Sequence, residues 1–95
     1  ADALKVIRQL ALDGHELIFT TSSGYMNPTI KVASYFPQVA FEHCTGFQRA
    51  ANVGTYIGRF EESRYLTGII AGKMTKSNII GFIAAESTPE VNRGI

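Results

Sequence analysis

Three short segments of the sequence carry the side chains best suited to recognising a small molecule. Residues 21–26, 44–48 and 86–90 combine hydroxyl groups, glycine and aromatic rings, and each follows an apolar run typical of a buried strand. Aromatic rings can stack on a flat ligand, and hydroxyl groups can hydrogen-bond its edges. The candidate ligand-binding residues are Ser22, Ser23, Gly24, Tyr25, Met26, Phe47, Glu86 and Ser87.

A second interpretation of these segments fits the pattern equally well. Serine and threonine also cap helices and form turns, and aromatic rings also cover the edge of a sheet. Loops of this composition occur in every domain built from alternating strands and helices. The composition of the loops therefore predicts where a ligand could bind without excluding a structural role.

The sequence offers weaker candidates for catalysis. His43 and Cys44 could pair as base and thiol, but neighbours on a strand point to opposite faces, so we expect a core cysteine and an edge histidine. Glu61 and Glu62 are adjacent on a predicted helix and do not face each other, which favours pairing with nearby arginines. The glycines and the Cys and His residues lack the spacings of phosphate loops and metal sites. We predict a protein that is not an enzyme and uses no cofactor or metal.

Composition and charge exclude further classes. The chain has 95 residues, of which 45% are hydrophobic, and a formal net charge of +1. Basic residues are interleaved with acidic ones, so no basic stripe is available for nucleic acid. The apolar run of residues 69–83 is interrupted by polar and charged residues and is too short to cross a bilayer. Neither nucleic-acid binding nor a membrane span is therefore expected of these residues.

The spacing of apolar residues predicts strict alternation of helices and strands. Asn27 and Pro28 are expected to be the N-cap and first-turn residue of the second helix. The side of the third helix that carries Leu66, Ile69 and Ile70 is expected to be core. The predicted helices span residues 4–12, about 28–36, 60–74 and a start near 87–90, and the predicted strands span 17–21, 39–44 and 78–85, with a short extended piece at 52–57.

This alternation predicts the α/β class, with a parallel sheet and helices on both faces. Ligands bind such sheets beyond the carboxyl ends of the strands, which is where the three candidate segments lie. No repeat or linker-like run divides the chain. We expect residues 1–95 to be part of one α/β lobe, truncated at both ends.

Three stretches of the sequence carry a family pattern in a fixed order. Residues 17–41 combine an apolar strand, a small-Gly-aromatic loop, and a helix that leads into a P-x-V-x-F strand entry. Residues 59–68 are similar to an R-x-x-E-G-x-Y-L-A-G run, with Ser63 and Thr67 where Gly and Ala are usual. Residues 76–83 are similar to a K-x-x-K-I-G-F-V strand. Together these stretches resemble the basic membrane protein family, the substrate-binding lipoproteins of ABC importers, and residues 41–47 are similar to its purine-importing branch.

The resemblance implies a two-lobed domain of the periplasmic-binding-protein-like type I fold, of which this chain would be part of the N-terminal lobe. Such a protein would close on a purine nucleoside or base by a hinge movement and deliver it to an ABC permease. It would be periplasmic or lipid-anchored at the cell surface. The loop of residues 22–26 matches the family's cleft loop, and residues 86–89 would lie near the crossing between lobes.

Two other functions share the expected fold. A transcriptional regulator can carry a ligand-sensing domain of this type, and an upstream helix-turn-helix segment would support that alternative. An enzyme with a doubly wound sheet would need a nucleophile or metal site outside these residues.

Overall fold

A computed structural model describes residues 2–93 and residue 95, and of residue 90 only the backbone. The chain forms two compact units, Ala1–Ile57 and Gly58–Ile95, here called the sheet unit and the helical unit. That both belong to one ligand-binding lobe stays a prediction. The sheet unit contains α1 (Ala3–Leu12), β1 (Leu17–Thr21), a 3-10 turn (Ser23–Tyr25), α2 (Met26–Ala33), β2 (Ala40–Cys44) and β3 (Val53–Tyr56), and the helical unit contains α3 (Phe60–Met74) and α4 (Pro89–Arg93).

The three strands form one parallel sheet in the order β1-β2-β3. In the register of this sheet, His43 of the central strand lies between Thr20 and Thr55. The helix α2 provides the crossover from β1 to β2 that parallel neighbours require. The α/β class and the parallel sheet are thus confirmed, and the third strand is the short extended piece predicted at residues 52–57.

Alternation along the strands turns one face of the sheet towards α1 and α2. Ile18, Phe41 and Val53, one from each strand, are 3%, 1% and 4% exposed. Both helices contribute apolar residues at helical spacing to the same core. On the opposite face, Leu17 and Phe19 are exposed. The buried core consists of Ile7, Ala11, Ile18, Val32, Ala33, Val39, Phe41 and Val53.

The start of α2 differs from the prediction. The helix begins at Met26 with Tyr25 in the N-cap position, so the assignment of Asn27 as N-cap is wrong. The 3-10 turn runs directly into α2 and therefore moves the first helical turn towards the N-terminus. Pro28 still lies in the first turn, where amide groups lack an intrahelical partner and proline costs little.

The end of α2 is held by a residue that sequence analysis did not single out. The side-chain amide nitrogen of Asn52 lies 3.1, 2.9 and 2.9 Å from the carbonyl oxygens of Ala33, Phe36 and Val39. The carbonyl oxygens of Ala33 and Phe36 also accept the backbone amides of Phe36 and Val39, so the Asn52 side chain adds a second donor to this turn. Asn52 thus ties the end of α2 to the segment that precedes β3.

The helical unit contains two correct and two incorrect predictions. The bounds predicted for α3 are confirmed, but Leu66 and Ile70 are 61% and 58% exposed, so the expected core side is not buried. Described residues 75–88 contain no strand, so the strand predicted at residues 78–85 is wrong. A helix satisfies its own backbone, whereas a strand requires a neighbouring strand to hydrogen-bond. The predicted start of a further helix is confirmed as α4, with Thr88 as cap: its hydroxyl oxygen accepts from the amide of Val91 at 3.3 Å.

Candidate ligand-binding site

The chain turns sharply at the carboxyl ends of β1 and β2. Ser22 and Thr45, the first residues after the two strands, have left-handed backbone conformations with φ values of 75° and 68°. This region is costly for residues other than glycine, and most of all for a β-branched residue such as threonine. Both turns direct a candidate loop over the same edge of the sheet.

The backbone of the first loop is fixed by buried hydroxyl groups, whereas its ring is accessible. The amide of Tyr25 donates to the carbonyl oxygen of Ser22 at 3.1 Å and closes the 3-10 turn. The hydroxyl of Thr29 donates to the carbonyl oxygen of Tyr25 at 2.7 Å and lies 2.9 Å from the hydroxyl of Thr20 in β1. The Tyr25 ring remains 45% exposed. This arrangement suits a ring that contacts a ligand, because the ring's position is set before the ligand arrives.

A groove of about 350 Å³ lies beside the Tyr25 ring, between α1 and β1. Its walls are mostly apolar, and threonine hydroxyls lie at the end of β1. Ser22 and Gly24 of the same loop are exposed, and Ser23 is half-buried. The groove is lined by Ala3, Val6, Ile7, Leu10, Phe19, Thr20, Thr21 and Tyr25.

Two hydrogen bonds join the second loop to the first. The amide of Phe47 donates to the sulfur of Met26 at 3.3 Å, and the side-chain amide of Gln48 donates to Oδ1 of Asn27 at 3.3 Å. The Phe47 ring is 56% exposed, whereas Met26 is buried and serves as the acceptor beneath the loop. The structure therefore brings the loop of residues 22–26 and Phe47 together at one edge of the sheet.

The third candidate segment belongs to the helical unit. Glu86 and Ser87 are both exposed, and the Glu86 carbonyl oxygen accepts from the amide of Thr88 at 3.1 Å. The hydroxyl of Ser87 accepts from the side-chain amide of Asn92 at 3.4 Å. The side chain of Glu90 lies outside the described residues. Participation of Glu86 and Ser87 in the ligand site stays a prediction.

The prediction of a core cysteine and an edge histidine is wrong, because the two are reversed. His43 is fully buried, whereas Cys44 is half-buried on the opposite face of the sheet. His43 continues the alternation of Val39 and Phe41, which is the sequence signal that could have placed it in the core. On the other face, desolvation and then the neighbouring Cys44 thiol raise the pKa of Tyr56 above its ordinary value of 10.0. The Tyr56 phenol is thus neutral at physiological pH.

The remaining catalytic candidates are surface groups. Glu62 accepts from Arg59 at 3.1 Å in an exposed ion pair, as the sequence predicted. Among residues 2–93 and 95, no three His, Cys, Asp or Glu side chains are grouped so that they could hold a metal ion. Across that same part of the chain, none of the helices has the length and apolar character needed to span a membrane.

Two named proteins are similar to this chain over its full length. Over all 95 residues the chain is 53% identical to a protein of Brucella abortus (strain 2308) named purine-binding protein, of which it covers 27%. It is 42% identical over the same residues to a putative ABC transporter glucose-binding protein of Haloferax volcanii, of which it covers 24%. The chain thus spans about a quarter of the length of these relatives.

A family model described as ABC transporter substrate-binding protein, PnrA-like, matches residues 1–95. This match covers the whole chain and includes the loops at the carboxyl ends of β1 and β2. The resemblance noted from the three sequence stretches is therefore confirmed. The matched family consists of substrate-binding proteins rather than of enzymes. The chain is a member of the Bmp family of PnrA-like ABC transporter substrate-binding proteins.

Proposed function

We propose that the whole protein is the substrate-binding component of an ABC importer and that it binds a purine nucleoside or purine base. The ligand would lie in a cleft between two lobes, to which the loops following β1 and β2 contribute. Tyr25 and Phe47 would stack on the purine, and hydroxyl and amide groups of residues 22–24 would hydrogen-bond its edges. Glu86 and Ser87 would contact the ligand from the segment that precedes α4.

The observation that carries this proposal is the junction of two loops at the carboxyl edge of a parallel sheet. The amide of Phe47 and the sulfur of Met26 hold the loops together, and each loop leaves an aromatic ring exposed. Ligands of open α/β sheets bind beyond this edge. Two accessible rings at one edge of the sheet match a flat heteroaromatic ligand better than they match a charged one.

The names of the two relatives point to two different ligand classes, purines and sugars. The relative with 53% identity is named for purine binding, and the relative with 42% identity is named for glucose binding. Aromatic side chains stack on sugars as well as on purines, but a purine offers two flat faces for Tyr25 and Phe47. The proposal therefore favours a purine and treats glucose as the rival ligand.

The proposal also names a partner and a location. An ABC permease would receive the ligand, and the protein would act in the periplasm or as a lipoprotein at the cell surface. The family match gives less support to a ligand-sensing regulator or an enzyme, because the matched family consists of substrate-binding proteins of transporters.

A thermal-shift screen of the whole protein tests the ligand class. A ligand that binds only the folded state raises the melting temperature by mass action. We expect a shift with adenine, adenosine or guanosine and none with simple sugars or amino acids. A shift with glucose alone would replace the purine by a sugar, and no shift with any compound would contradict the binding function.

Substitution of the Tyr25 ring tests the site itself. We expect Tyr25→Ala to weaken purine binding by about 1–3 kcal/mol in calorimetry, because one buried ring contact is lost on binding. Tyr35→Ala is the matched control, since Tyr35 is 69% exposed and follows the C-terminal end of α2, away from the loops. Equal affinities of the two variants would remove Tyr25 from the site.

A further inference from the structure

His43 is a buried polar residue without a visible structural role. Its side chain is fully buried near the end of β2, and neither ring nitrogen has a hydrogen-bond partner among the described residues. Nearly all buried polar groups in folded proteins are hydrogen-bonded, because an unmet donor or acceptor keeps its full desolvation cost. Such an imidazole points to a partner that arrives in another state of the protein.

The neighbouring strands do not supply this partner. Thr29 donates its single hydroxyl hydrogen to the carbonyl oxygen of Tyr25, so Thr20 must donate its own hydrogen to Thr29. The Thr20 hydroxyl therefore has no hydrogen left for His43. On the other side, the Thr55 hydroxyl accepts from Nε of Arg49 at 3.2 Å and, although its own hydrogen stays available, makes no bond to either imidazole nitrogen.

The turn after β2 lies directly against the imidazole. A Cβ atom placed on Gly46 would lie 2.6 Å from Nδ1 of His43, so the backbone of this turn covers that nitrogen without bonding to it. Only glycine allows so close an approach. The unpaired nitrogen is therefore within reach of a small rearrangement of the turn.

The two peptide groups between residues 45 and 47 are weakly held, although the amide of Thr45 itself donates to the carbonyl oxygen of Tyr56 at 2.8 Å. Thr45 is β-branched and adopts φ of 68°, a region that such residues avoid. The amide of Phe47 donates to a thioether sulfur, which is a weak acceptor. A rotated peptide in residues 45–47 would lose little and would bring a backbone group to Nδ1 of His43.

We propose that His43 is a positioning residue of the ligand site: on ligand binding, the turn of residues 45–47 forms a hydrogen bond with its imidazole and so holds Phe47 against the ligand. This inference rests on the proposed binding function. It adds to that function a buried residue that hydrogen-bonds the loop when the ligand binds. Among the described residues the imidazole is unpaired, and the rearranged turn would satisfy it.

The test compares His43→Leu and His43→Gln in the whole protein, with adenosine and glucose as the probes. Leucine removes both polar nitrogens, so the ligand-free melting temperature should stay the same or rise, while the affinity should fall about 3- to 10-fold, as expected for one net hydrogen bond. Glutamine can still hydrogen-bond and should recover most of the affinity. Phe41→Leu, on the same face of β2, is the control: it should lower the melting temperature and leave the affinity unchanged.

Two results would overturn the inference. In the first, His43→Leu binds as tightly as the unmodified protein. In the second, His43→Leu lowers both melting temperature and affinity and His43→Gln restores neither, which is the behaviour of a packing residue. If glucose binds and adenosine does not, the proposed ligand is wrong, and the same comparison made with glucose decides the role of His43. If neither probe binds and adenine and guanosine also fail to bind, both proposals are overturned; if one of these two purines binds, the same comparison made with it decides the role of His43.

Discussion

The sheet unit and the helical unit differ in what their apolar side chains contact. In the sheet unit, Phe41 and Val32 are each 1% exposed within a core shared by two helices and three strands. In the helical unit, α3 is regular over its full length, yet Leu66 and Ile70 are more than half exposed. Both units carry apolar residues at regular spacing, and only one of them buries those residues.

The difference between the units separates the formation of a helix or strand from the burial of its apolar side chains, although one pattern of apolar residues is used to predict both. A helix forms by hydrogen bonds between residues four positions apart, so α3 needs no other element to be recognisable. Burial requires a second surface, and residues 79–83 are exposed although their apolar run is typical of a strand. Regular spacing therefore predicts a helix, whereas contacts with other segments decide whether a strand forms and whether either element belongs to a core.

The largest expected difference between the units is in side-chain truncation. Phe41→Ala should lower the free energy of unfolding of the 95-residue chain by about 3–5 kcal/mol, because it leaves a cavity at the centre of the core. Ile70→Ala on α3 should change it by no more than about 0.5 kcal/mol, as for other exposed positions. Urea denaturation followed by circular dichroism measures both, and equal losses would break the comparison.

A smaller difference is expected for two asparagines. Asn52→Ala should lower the free energy of unfolding by about 1–3 kcal/mol, because the hydrogen bonds from its side-chain amide to the carbonyl oxygens of Ala33, Phe36 and Val39 are lost. Asn92→Ala serves as control, since its side-chain amide makes one exposed hydrogen bond at 3.4 Å. The same denaturation experiment applies. A neutral Asn52→Ala would mean that water replaces the amide at no cost.

The smallest expected effects come from two glycines. Gly68→Ala should raise the stability of α3 by about 0.5–1 kcal/mol, because alanine favours helix and no atom lies within 4 Å of the added methyl group. Gly46→Ala should instead destabilise the sheet unit, because its Cβ would lie 2.6 Å from His43. Melting curves of the two variants should shift in opposite directions. Destabilisation by Gly68→Ala would show that this side of α3 packs closely against another surface.

The sequence predicts which loops lie at the carboxyl edge of the sheet better than it predicts the interactions beneath them. The loops after β1 and β2 were predicted from the strand ends, and Tyr25 and Phe47 are exposed at that edge. The Thr20–Thr29 bond and the hydrogen bonds of Asn52 were not predicted, because they join residues that are distant along the chain. The local patterns used here carry little information about such pairs.

The sequence by itself determined the local elements of this protein and the family to which it belongs. The bounds of α1 and α3 follow from apolar residues at helical spacing, and a glycine in the left-handed region follows the end of α1. The bounds of β1 follow from a short apolar run. Only the tertiary structure decided that residues 53–56 form the third strand, that His43 is buried rather than Cys44, and that the apolar side of α3 is exposed. These features depend on which segments pack against each other. The free energy of packing arises from the contact between two segments, so neither segment's own sequence shows it.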